Sequence, residues 1–548
     1  MAMFLTEKIG NNYKFWEGGE IFIESQTGTG KTTFVLDVLV PYAMEKGREV
    51  LFLSNRFLLK EQIKAKVAKK QGVEIEEYVL VEGEEEFDGI TIMTYQKLQK
   101  ICQHLGVFEY ADKIRKRYFF VVFDEAHYIL QDSTFNPEIL YLLQFVKAYT
   151  GTEIFLSATM DELPEFLMDW KYGDNIDFGN CLNFPELSLY EIRRISSIIT
   201  GFHHWVWKYK FVEKACKCEV KIFENFEELL PQINQKNNEK WMIFMGNKSK
   251  MSEYKKLIKV PCDFLTADSA KLDETAELIN EIRLQERFPN KVLLTTKILD
   301  NGINIKDKKV KNIVIDTDCK TEFLQMLGRK RILDGDDKFR LFIPQKSSSY
   351  FSGLLKLRVE PALDFLKSEH STSELLRYIH DKEIWKLISN FYTEYRGGLL
   401  YNPAGKFKLE MEKGFYERMI GEMKNDPWAF AKEQMNWLHM GEDFSEEMSI
   451  TYQNYKRHIR EISDFIKKCE GVKIGKSEQE KFRELFTKEL EIRGIFIVKK
   501  GRIPGKNAIN NFLERGGIEY RIRSNKTSKK GEETIWTIER RECDVLLS

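Results

Sequence analysis

Short apolar runs recur along roughly the first 350 residues and alternate with longer amphipathic stretches of helical spacing. One series of runs covers residues 21–23, 50–53, 89–93, 119–123 and 153–156, and a second covers residues 218–223, 241–245, 291–295, 310–315 and 339–343. Such runs, rich in β-branched and aromatic residues, are typical of strands buried on both faces of a parallel sheet. The pattern predicts an α/β fold with two parallel-sheet domains in tandem.

The hydrophobic pattern changes in the remainder of the chain. Between about 353 and 470, residues that favour helices dominate, and the frequent aromatic side chains at helical spacing indicate the core of an α-helical domain. Beyond 471, helix-like stretches at 481–490 and 506–515, with a strand-like run at 495–498 between them, are followed by two alternating strands around a polar turn, which predicts a small winged-helix-like module. The predicted segments are 1–165, a connector at 166–217 that leads into the second domain, 218–352, 353–470 and 471–548.

Charge is balanced over the whole chain, with 85 Lys and Arg against 85 Asp and Glu. This balance argues against nucleic-acid binding through bulk charge, but it leaves local patches open. Between Arg493 and Arg541 there are thirteen Lys and Arg residues against five Asp and Glu residues. The excess predicts a contact with phosphate backbones and favours DNA as the partner, whereas the alternative is a merely solvated basic hairpin.

Composition narrows the class of protein further. Hydrophobic content of 43% and charged content of 31% are typical of globular domains. No apolar run approaches the roughly 18 residues of a membrane span, and the N-terminus has no secretion signal, so we expect a cytoplasmic protein. Of eight cysteines, the only close pair is Cys216 and Cys218, which lacks zinc-site spacing, so we expect reduced thiols.

A glycine-containing loop follows the first apolar run and precedes a helix-like stretch. Its candidate nucleotide-binding residues are Thr27, Gly28, Thr29, Gly30, Lys31, Thr32 and Thr33. Glycines let backbone N–H groups turn toward an anion, and the helix N-terminus adds partial positive charge. Lys31 can reach the outer phosphates, and the Thr32 hydroxyl can hold Mg²⁺. The loop is therefore predicted to bind a nucleotide.

Two carboxylates, Asp124 and Glu125, come directly after the buried run at 119–123. ATP hydrolysis needs such a pair, since one carboxylate holds the metal ion and the other orients and deprotonates the attacking water. An apolar run that ends in Asp-Glu is a weak signal alone. It becomes strong after a phosphate loop, and it assigns Asp124 to the metal and Glu125 to the water.

At this point the chain resembles the superfamily 2 helicases and translocases of DEAH type. The family's first motif reads Ala/Ser-x-x-Gly-x-Gly-Lys-Thr, which accounts for Ser25 where other phosphate loops have glycine. Residues 124–127 read Asp-Glu-Ala-His and match the second motif, and the resemblance implies that His127 contacts the second domain. Ser157 and Thr159 lie in a Ser-Ala-Thr triplet similar to motif III, which couples hydrolysis to domain motion.

The second domain carries segments that resemble the remaining motifs. Residues 243–248 are similar to motif IV, residues 293–305 to motif V and residues 325–331 to motif VI. The resemblance implies two tandem RecA-like domains, with Gln325 near the γ-phosphate and Asp300 at the nucleotide. Arg329 is the preferred arginine finger and Arg331 its rival, because motif VI departs from the fullest family form, which would place its second arginine where Ile332 stands.

The same resemblance places nucleic-acid contacts on both domains. The implied contact residues are Arg56, Thr94, Tyr95, Asn247, Lys248, Thr295 and Thr296. Hydroxyl, amide and cationic groups suit contacts with sugar and phosphate that ignore base identity. For Thr94 and Tyr95 the alternative is a strand-end cap. No adenine-recognition segment is evident, and stacking of a base on Phe15 or Trp16 is a hypothesis only.

The expected protein is an ATP-dependent and Mg²⁺-dependent helicase or translocase that acts on nucleic acid, with DNA favoured over RNA. An RNA helicase is the nearest alternative. A second alternative is an ATP-driven switch that remodels a nucleoprotein complex without unwinding it. Its protein partner would then bind the helical or the C-terminal domain.

Overall fold

The structure, a computed structural model, describes residues 5–26, 28–54, 85–134, 136, 138–160, 162–173, 176–183, 189–197, 203–211, 218–266, 269, 278–279, 281–282, 284–296, 304–368, 372–378, 380–389, 391–395, 398–492, 503–515, 518–526 and 534–540. The chain forms two compact units. The first comprises residues 1–220 and 225–444, and the second comprises residues 221–224 and 445–548. We call residues 5–211 lobe 1, residues 218–344 lobe 2 and residues 348–444 the helical region; all of these except residues 221–224 belong to the first unit.

Lobe 1 is built on a nine-stranded sheet with the order β3-β4-β2-β5-β6-β1-β9-β8-β7. Its strands are β1 (Glu20–Ser25), β2 (Glu49–Ser54), β3 (Glu85–Phe87), β4 (Ile90–Thr94), β5 (Tyr118–Asp124), β6 (Thr152–Ser157), β7 (Ile176–Asn183), β8 (Leu189–Ser197) and β9 (His203–Phe211). The six strands in the middle of the sheet pair in parallel, in the order β4-β2-β5-β6-β1-β9. Antiparallel strands extend both edges, β3 beside β4 and the pair β8 and β7 beside β9. The carboxyl ends of the parallel strands therefore meet along one edge of the sheet.

Alternate side chains of these strands fill two hydrophobic cores, one on each face. Phe22, Phe123 and Phe155 stack on one face, with ring centroids 4.8 and 4.6 Å apart. Ile21 and Ile23 point to the opposite face. The helices that cover the sheet are α1 (Leu5–Ile9), α2 (Lys31–Phe34), α3 (Val40–Glu45), α4 (Tyr95–Leu105), α5 (Val107–Arg117), α6 (Tyr128–Gln131), α7 (Ile139–Ala148) and α8 (Leu163–Tyr172). Burial on both faces explains the continuous apolar runs.

Lobe 2 has a six-stranded sheet with the order β10-β15-β14-β11-β13-β12. Its strands are β10 (Glu219–Phe223), β11 (Lys240–Met245), β12 (Cys262–Leu265), β13 (Val292–Thr295), β14 (Val310–Asp316) and β15 (Arg340–Pro344), and its helices are α9 (Leu230–Ile233), α10 (Lys248–Leu257) and α11 (Lys320–Gly328). The strands from β11 to β15 pair in parallel. Together the two sheets confirm the predicted pair of parallel-sheet, RecA-like domains.

The helical region follows lobe 2. Its elements are α12 (Ser348–Leu354), α13 (Glu360–Lys367), α14 (Thr372–Tyr378), α15 (Lys382–Ile388), the hairpin β16 (Tyr392–Tyr395) and β17 (Gly398–Tyr401), α16 (Pro403–Glu422) and α17 (Ala429–Trp437). Helix α16 begins at an Asn402 cap, whose side chain accepts a hydrogen bond from the Ala404 N–H. Its 20 residues give a length of about 30 Å.

The second unit contains α18 (Ile450–Lys468), β18 (Lys473–Ile474), α19 (Lys476–Ile492), α20 (Lys506–Arg515), β19 (Tyr520–Lys526) and β20 (Thr534–Arg540). The three strands form an antiparallel sheet with the order β18-β20-β19. Helix α18 lies in this unit, and its Ile462 and Ile466 share a core with Phe486 and Leu513. The strand expected at 495–498 lies outside the described residues.

None of the helices that the structure describes combines the length and the apolar character that a membrane span needs.

Candidate active site between the two lobes

The phosphate loop joins the end of β1 to the start of α2. Gly28 and Gly30 have φ angles of 94° and 90°, which place both residues in the left-handed region. A side chain at either position would strain the backbone, so these turns require glycine. Gly30 caps α2, whose first residue is Lys31. Thr32 is partly exposed and Thr33 is exposed on the same first turn, while Thr27 lies outside the described residues.

Polar contacts fix the loop from inside. The Lys31 ammonium donates to the Ser25 carbonyl at 2.8 Å and reaches the Gln26 carbonyl at 3.4 Å. The Thr29 hydroxyl lies 3.1 Å from the Ser25 Oγ and 2.8 Å from the Gln26 carbonyl. Ser25 is buried. Its hydroxyl therefore supports the loop at the position where other phosphate loops have glycine, and Lys31 is held where it can turn to an anion.

The two carboxylates lie at the end of β5. Asp124 is buried at the last strand residue, and Glu125 has a φ of 52°, a left-handed conformation that is rare for a side-chain-bearing residue. The Ala126 N–H donates to the Leu156 carbonyl at 2.9 Å, which ties the turn to β6. Strain of this kind persists where the surrounding structure enforces it. Neighbouring strands thus hold the carboxylates at the edge where the phosphate loop lies.

A tyrosine lies behind this turn. The Tyr95 hydroxyl donates to the Asp124 carbonyl at 2.9 Å, and its ring stacks on Tyr128 with centroids 5.0 Å apart. Tyr95 is fully buried, and burial raises the pKa of its hydroxyl well above the ordinary value. Tyr95 therefore supports the carboxylate turn and is not exposed on a nucleic-acid path. This role was not predicted. The sequence contains the two tyrosines, but it does not show that their rings stack.

His127 joins the second, third and sixth motifs. Its Nδ1 lies 2.7 Å from the Ser157 Oγ, and its Nε2 contacts the Gln325 side-chain amide of lobe 2. If the amide NH₂ donates to Nε2, then Nδ1 carries the ring proton and donates to Ser157. The Thr159 hydroxyl completes the junction by contacting the Thr321 hydroxyl at 3.0 Å. The structure thus brings these residues of both lobes together, as the resemblance implies.

Two neighbouring arginines of lobe 2 approach the same cleft. Arg331 donates from Nε to the Asn304 Oδ1 at 2.8 Å, and its guanidinium lies 3.4 Å from the point that a side chain on Gly28 would occupy. Arg329 is buried, and Arg331 is half-buried. Burial and the adjacent Arg329 charge lower the pKa of Arg331. Two cations so close together favour an anion between the lobes. Asn304 was not among the predicted site residues.

A cavity of about 510 Å³ lies between the phosphate loop and α11. Gly28 and Arg331 both line it, and Phe211 and Trp437 supply aromatic walls. Trp16, by contrast, is fully buried, and its indole donates to the Tyr209 hydroxyl at 3.1 Å. The hypothesis that Trp16 stacks on a base is therefore wrong, because the ring is a core residue. Phe15 is exposed.

The predicted nucleic-acid residues have different settings. Thr94 caps α4 by accepting from the Lys97 N–H at 3.1 Å, and Asn247 caps α10 by accepting from the Lys250 N–H at 3.0 Å. Both caps are at the carboxyl ends of strands, and Asn247 and Lys248 are exposed. Thr295 and Thr296 are buried. Arg56 and Asp300 lie outside the described residues.

The candidate magnesium ligands are oxygen atoms at the edge of lobe 1. Mg²⁺ usually takes one or two protein ligands and completes its shell with phosphate oxygens and water. The Asp124 carboxylate and the Thr32 hydroxyl offer this kind of donor set beside the phosphate loop. Among the described residues there is no group of three or more His, Cys, Asp or Glu residues that could hold a metal ion by itself. The donors present therefore fit a metal ion that arrives with a nucleotide.

Comparisons with known proteins agree with this division of the chain. The family model described as "Type III restriction enzyme, res subunit" matches residues 5–162, and the model described as "Helicase conserved C-terminal domain" matches residues 221–331. A search of curated proteins found no match.

Two solved structures show distant similarity. A DEAD box protein from the hyperthermophile Methanococcus jannaschii is 14% identical, with a TM-score of 0.31, over 62% of this chain and 85% of that protein. The ADP complex of T. fusca Cas3 is 13% identical, with a TM-score of 0.44, over 81% of this chain and 55% of that protein. The two family models, matched in order to the two lobes, support a nucleic-acid helicase or translocase of superfamily 2.

Proposed function

We propose that the protein hydrolyses ATP with Mg²⁺ between its two lobes and uses the cycle to move along or unwind nucleic acid, as a motor of the DEAH type. The observation that best supports this proposal is the position of His127, which contacts Ser157 in lobe 1 and Gln325 in lobe 2. His127 lies two residues after Glu125. The segment that carries the two carboxylates is therefore connected to the opposite lobe. Such a connection lets the state of the site influence lobe position.

Lobe 1 supplies the binding half of the site. The loop N–H groups, Lys31 and the N-terminus of α2 bind the phosphates, while Asp124 and Thr32 hold the metal ion. Bound Mg²⁺ neutralises phosphate charge and draws electron density from the phosphorus. Glu125 orients a water molecule and accepts its proton. The turn that carries Glu125 has a left-handed backbone at this residue and is tied to β6 through the Ala126 N–H.

Lobe 2 supplies the second half when the lobes are together. Arg331 and Arg329 stabilise charge that develops on the phosphoryl oxygens. We assign the arginine finger to Arg331, because its guanidinium lies beside Gly28 of the phosphate loop. Gln325 contacts His127 when α11 is close to lobe 1. Loss of this contact and of the arginine contacts after hydrolysis would free the lobes to separate. Alternation between the closed and the open arrangement of the lobes would move a bound strand.

The nucleotide site is tested by substitution of Lys31 and Glu125. Lys31→Ala and Glu125→Gln are each expected to abolish nucleic-acid-stimulated ATPase activity, because one removes the phosphate contact and the other the base. Lys46→Ala, an exposed lysine that follows α3, is the matched control. Wild-type turnover in either site variant would contradict the proposal.

DNA is the favoured substrate, and the second unit supports this preference. Its order of helix, strand, two helices and two strands is the order expected for a winged helix, which commonly places its third and last helix, here α20, on DNA. Asn507 and Asn511 are exposed one turn apart on α20. Arginines of the hairpin are engaged locally, since Arg521 and Arg523 both contact Glu539. The asparagines of α20 and the lysines near the hairpin turn are therefore the proposed contacts.

Substrate choice is tested with single strands of the same base sequence. Greater stimulation of ATPase activity by DNA than by RNA would support the DNA assignment, and the reverse would support the RNA helicase. Substitution of Asn507 and Asn511 by Ala should weaken binding to duplex or forked DNA, whereas the same change at the exposed Asn237 of lobe 2 should not. Equal affinity of all three proteins would remove the proposed role of α20.

An ATP-driven switch that remodels a nucleoprotein complex is the second candidate. The observation that favours it is the size of the helical region, which contacts both lobes and supplies surface for a partner. A strand-displacement assay beside the ATPase assay separates the two. Turnover with displacement supports the helicase, and turnover without displacement supports the switch or a translocase.

A further inference from the structure

Helix α16 of the helical region contacts both lobes. Near its beginning, the Asn402 side chain donates to the Ser133 carbonyl at 2.8 Å, and Lys408 donates to the Gln131 carbonyl at 2.6 Å. Gln131 is the last residue of α6, the helix that starts after His127, and Ser133 lies two residues beyond it. The N-terminal half of α16 is thereby attached to the segment that follows the catalytic carboxylates.

Apolar packing strengthens this attachment. Ala404 is fully buried in the same core that contains Phe123 and Phe155. Phe407 packs on Phe166 of lobe 1 with ring centroids 4.8 Å apart. Burial of these side chains, together with the buried Asn402 amide, makes this half of α16 a part of lobe 1.

The other half of α16 is attached to lobe 2 by polar contacts. The Tyr416 hydroxyl donates to the Asp318 carboxylate at 2.8 Å and accepts from Arg358 at 2.9 Å. Arg358 also donates to Glu412, on the same helix, at 2.9 Å. Tyr416 is buried, so its hydroxyl bonds form away from bulk water, where loss of either one is costly. Asp318 lies two residues before α11.

The two attachments flank the contact between the lobes. One lies beyond His127 on α6, and the other lies just before α11, which carries Gln325. A cavity of about 630 Å³ lies between them and is lined by His127, Asp318 and Tyr416. The lobes are therefore not packed solidly here, and helix α16 spans a gap that could widen or narrow.

We propose that α16 is a strut that sets the spacing of the lobes, and that Tyr416 is a positioning residue that acts through Asp318 on α11 and Gln325. The expected effect on turnover rests on the proposed function. The role of α16 in setting the distance between the lobes does not depend on that function. Helix α16 belongs to the core of lobe 1 at its beginning, and its Tyr416 hydroxyl contacts lobe 2 at Asp318. We therefore expect closure of the site to be sensitive to this hydroxyl.

The first test separates positioning from binding. Tyr416→Phe removes only the hydroxyl and is expected to lower the kcat for ATP by about two- to tenfold, the effect of one hydrogen bond, with little change in KM. Asp318→Ala, which removes the acceptor of that hydroxyl, should show the same split, and the double variant should be no worse than the single ones, because both changes break the same contact. Tyr254→Phe, in lobe 2 but away from α16, is the matched control.

A second measurement does not need hydrolysis. Fluorophores at exposed Phe108 and Leu257, one on each lobe, report lobe separation by energy transfer in the full-length protein. With a non-hydrolysable ATP analogue, Tyr416→Phe and Lys408→Met are expected to broaden the distance distribution relative to the wild type and Tyr254→Phe. Unchanged distributions in both variants would overturn the strut.

The two proposals fail in different ways. If the wild type hydrolyses no ATP, the proposed function is wrong, and the distance measurement still decides whether α16 sets the spacing. If the wild type is active and Tyr416→Phe matches it both in kcat and in lobe separation, the strut is wrong and the motor stands. An unchanged unfolding temperature of each variant excludes general loss of structure as the cause.

Discussion

The two lobes share a parallel-sheet architecture but build their halves of the site differently. In lobe 1 the phosphate loop and the carboxylate turn are anchored to strand ends by buried groups, including Ser25 and Tyr95. In lobe 2 the groups that face the cleft lie on or just after one helix, α11, and reach lobe 1 through individual polar contacts such as that of Gln325. Lobe 1 is a preformed platform, whereas lobe 2 completes the site only when α11 is in place.

This difference assigns separate consequences to substitutions in the two lobes. Changes in the groups that support the lobe 1 platform, as distinct from the carboxylate of Glu125, should affect nucleotide binding or stability, because their contacts exist without the partner lobe. Changes around α11 should affect turnover, since those contacts depend on closure. A substitution in lobe 2 that altered only nucleotide affinity would weaken this comparison.

The largest expected effect concerns the arginines. Arg331→Ala is expected to lower kcat on the order of 10³-fold, the low end of the range for an arginine finger, while Arg329→Ala should cost less. The reason is the approach of Arg331 to Gly28 across the cleft. Steady-state ATPase kinetics at saturating nucleic acid measure the effect. A larger loss for Arg329→Ala would return the finger to the residue that the sequence favours.

The contact between the lobes comes next in size. Gln325→Ala should lower stimulated turnover about ten- to a hundredfold, because a buried hydrogen bond to His127 is lost and the imidazole remains without its partner. Nucleotide affinity should stay close to that of the wild type. Gln453→Ala, which removes an exposed amide contact in the second unit, is the control. Reduced affinity with normal kcat would place Gln325 in the binding half of the site.

Most of the fold was predictable because buried parallel strands have continuous apolar runs. Strands without such runs were missed. The edge strand β12 has only four residues, three of them half-buried, and β9 mixes lysines and histidines with aromatic residues. Neither pattern differs clearly from a loop in the sequence alone.

The site was predictable where chemistry depends on local order, as in the phosphate loop. It was less predictable where contacts depend on tertiary structure. Trp16 and Tyr95 have the side chains expected at a ligand site, but packing places both in the core. The contact between Asn304 and Arg331 joins residues 27 positions apart, and no local pattern marks it.

A smaller effect is expected in the lobe 1 platform. Ser25→Gly restores the residue of other phosphate loops but removes the hydroxyl that contacts Thr29. Nucleotide affinity should fall by up to about tenfold, the effect of one hydrogen bond, with kcat unchanged. Binding of a fluorescent nucleotide measures the change, and Ser252→Gly on the exposed α10 serves as a control for helix and loop flexibility. A fall in kcat alone would show that the platform is not preformed.

The smallest effect on turnover, and a separate effect on stability, is expected at the opposite ends of β1 and β6. Lys171 contacts both Glu20 and Glu153 there, and all three side chains are buried. Burial, opposed by the Lys171 charge, raises the pKa of Glu153 to about 8. Because the folded state holds this proton more tightly than the unfolded chain, the stability that it contributes is present below about pH 4.5 and is lost as pH rises through 8.

Glu153→Gln should therefore flatten the dependence of the unfolding free energy on pH between 5 and 8, by on the order of a few kcal/mol. Denaturant unfolding at several pH values measures this slope, with Glu109→Gln on exposed α5 as control. If the slope persists in Glu153→Gln, another buried group governs the stability of the platform.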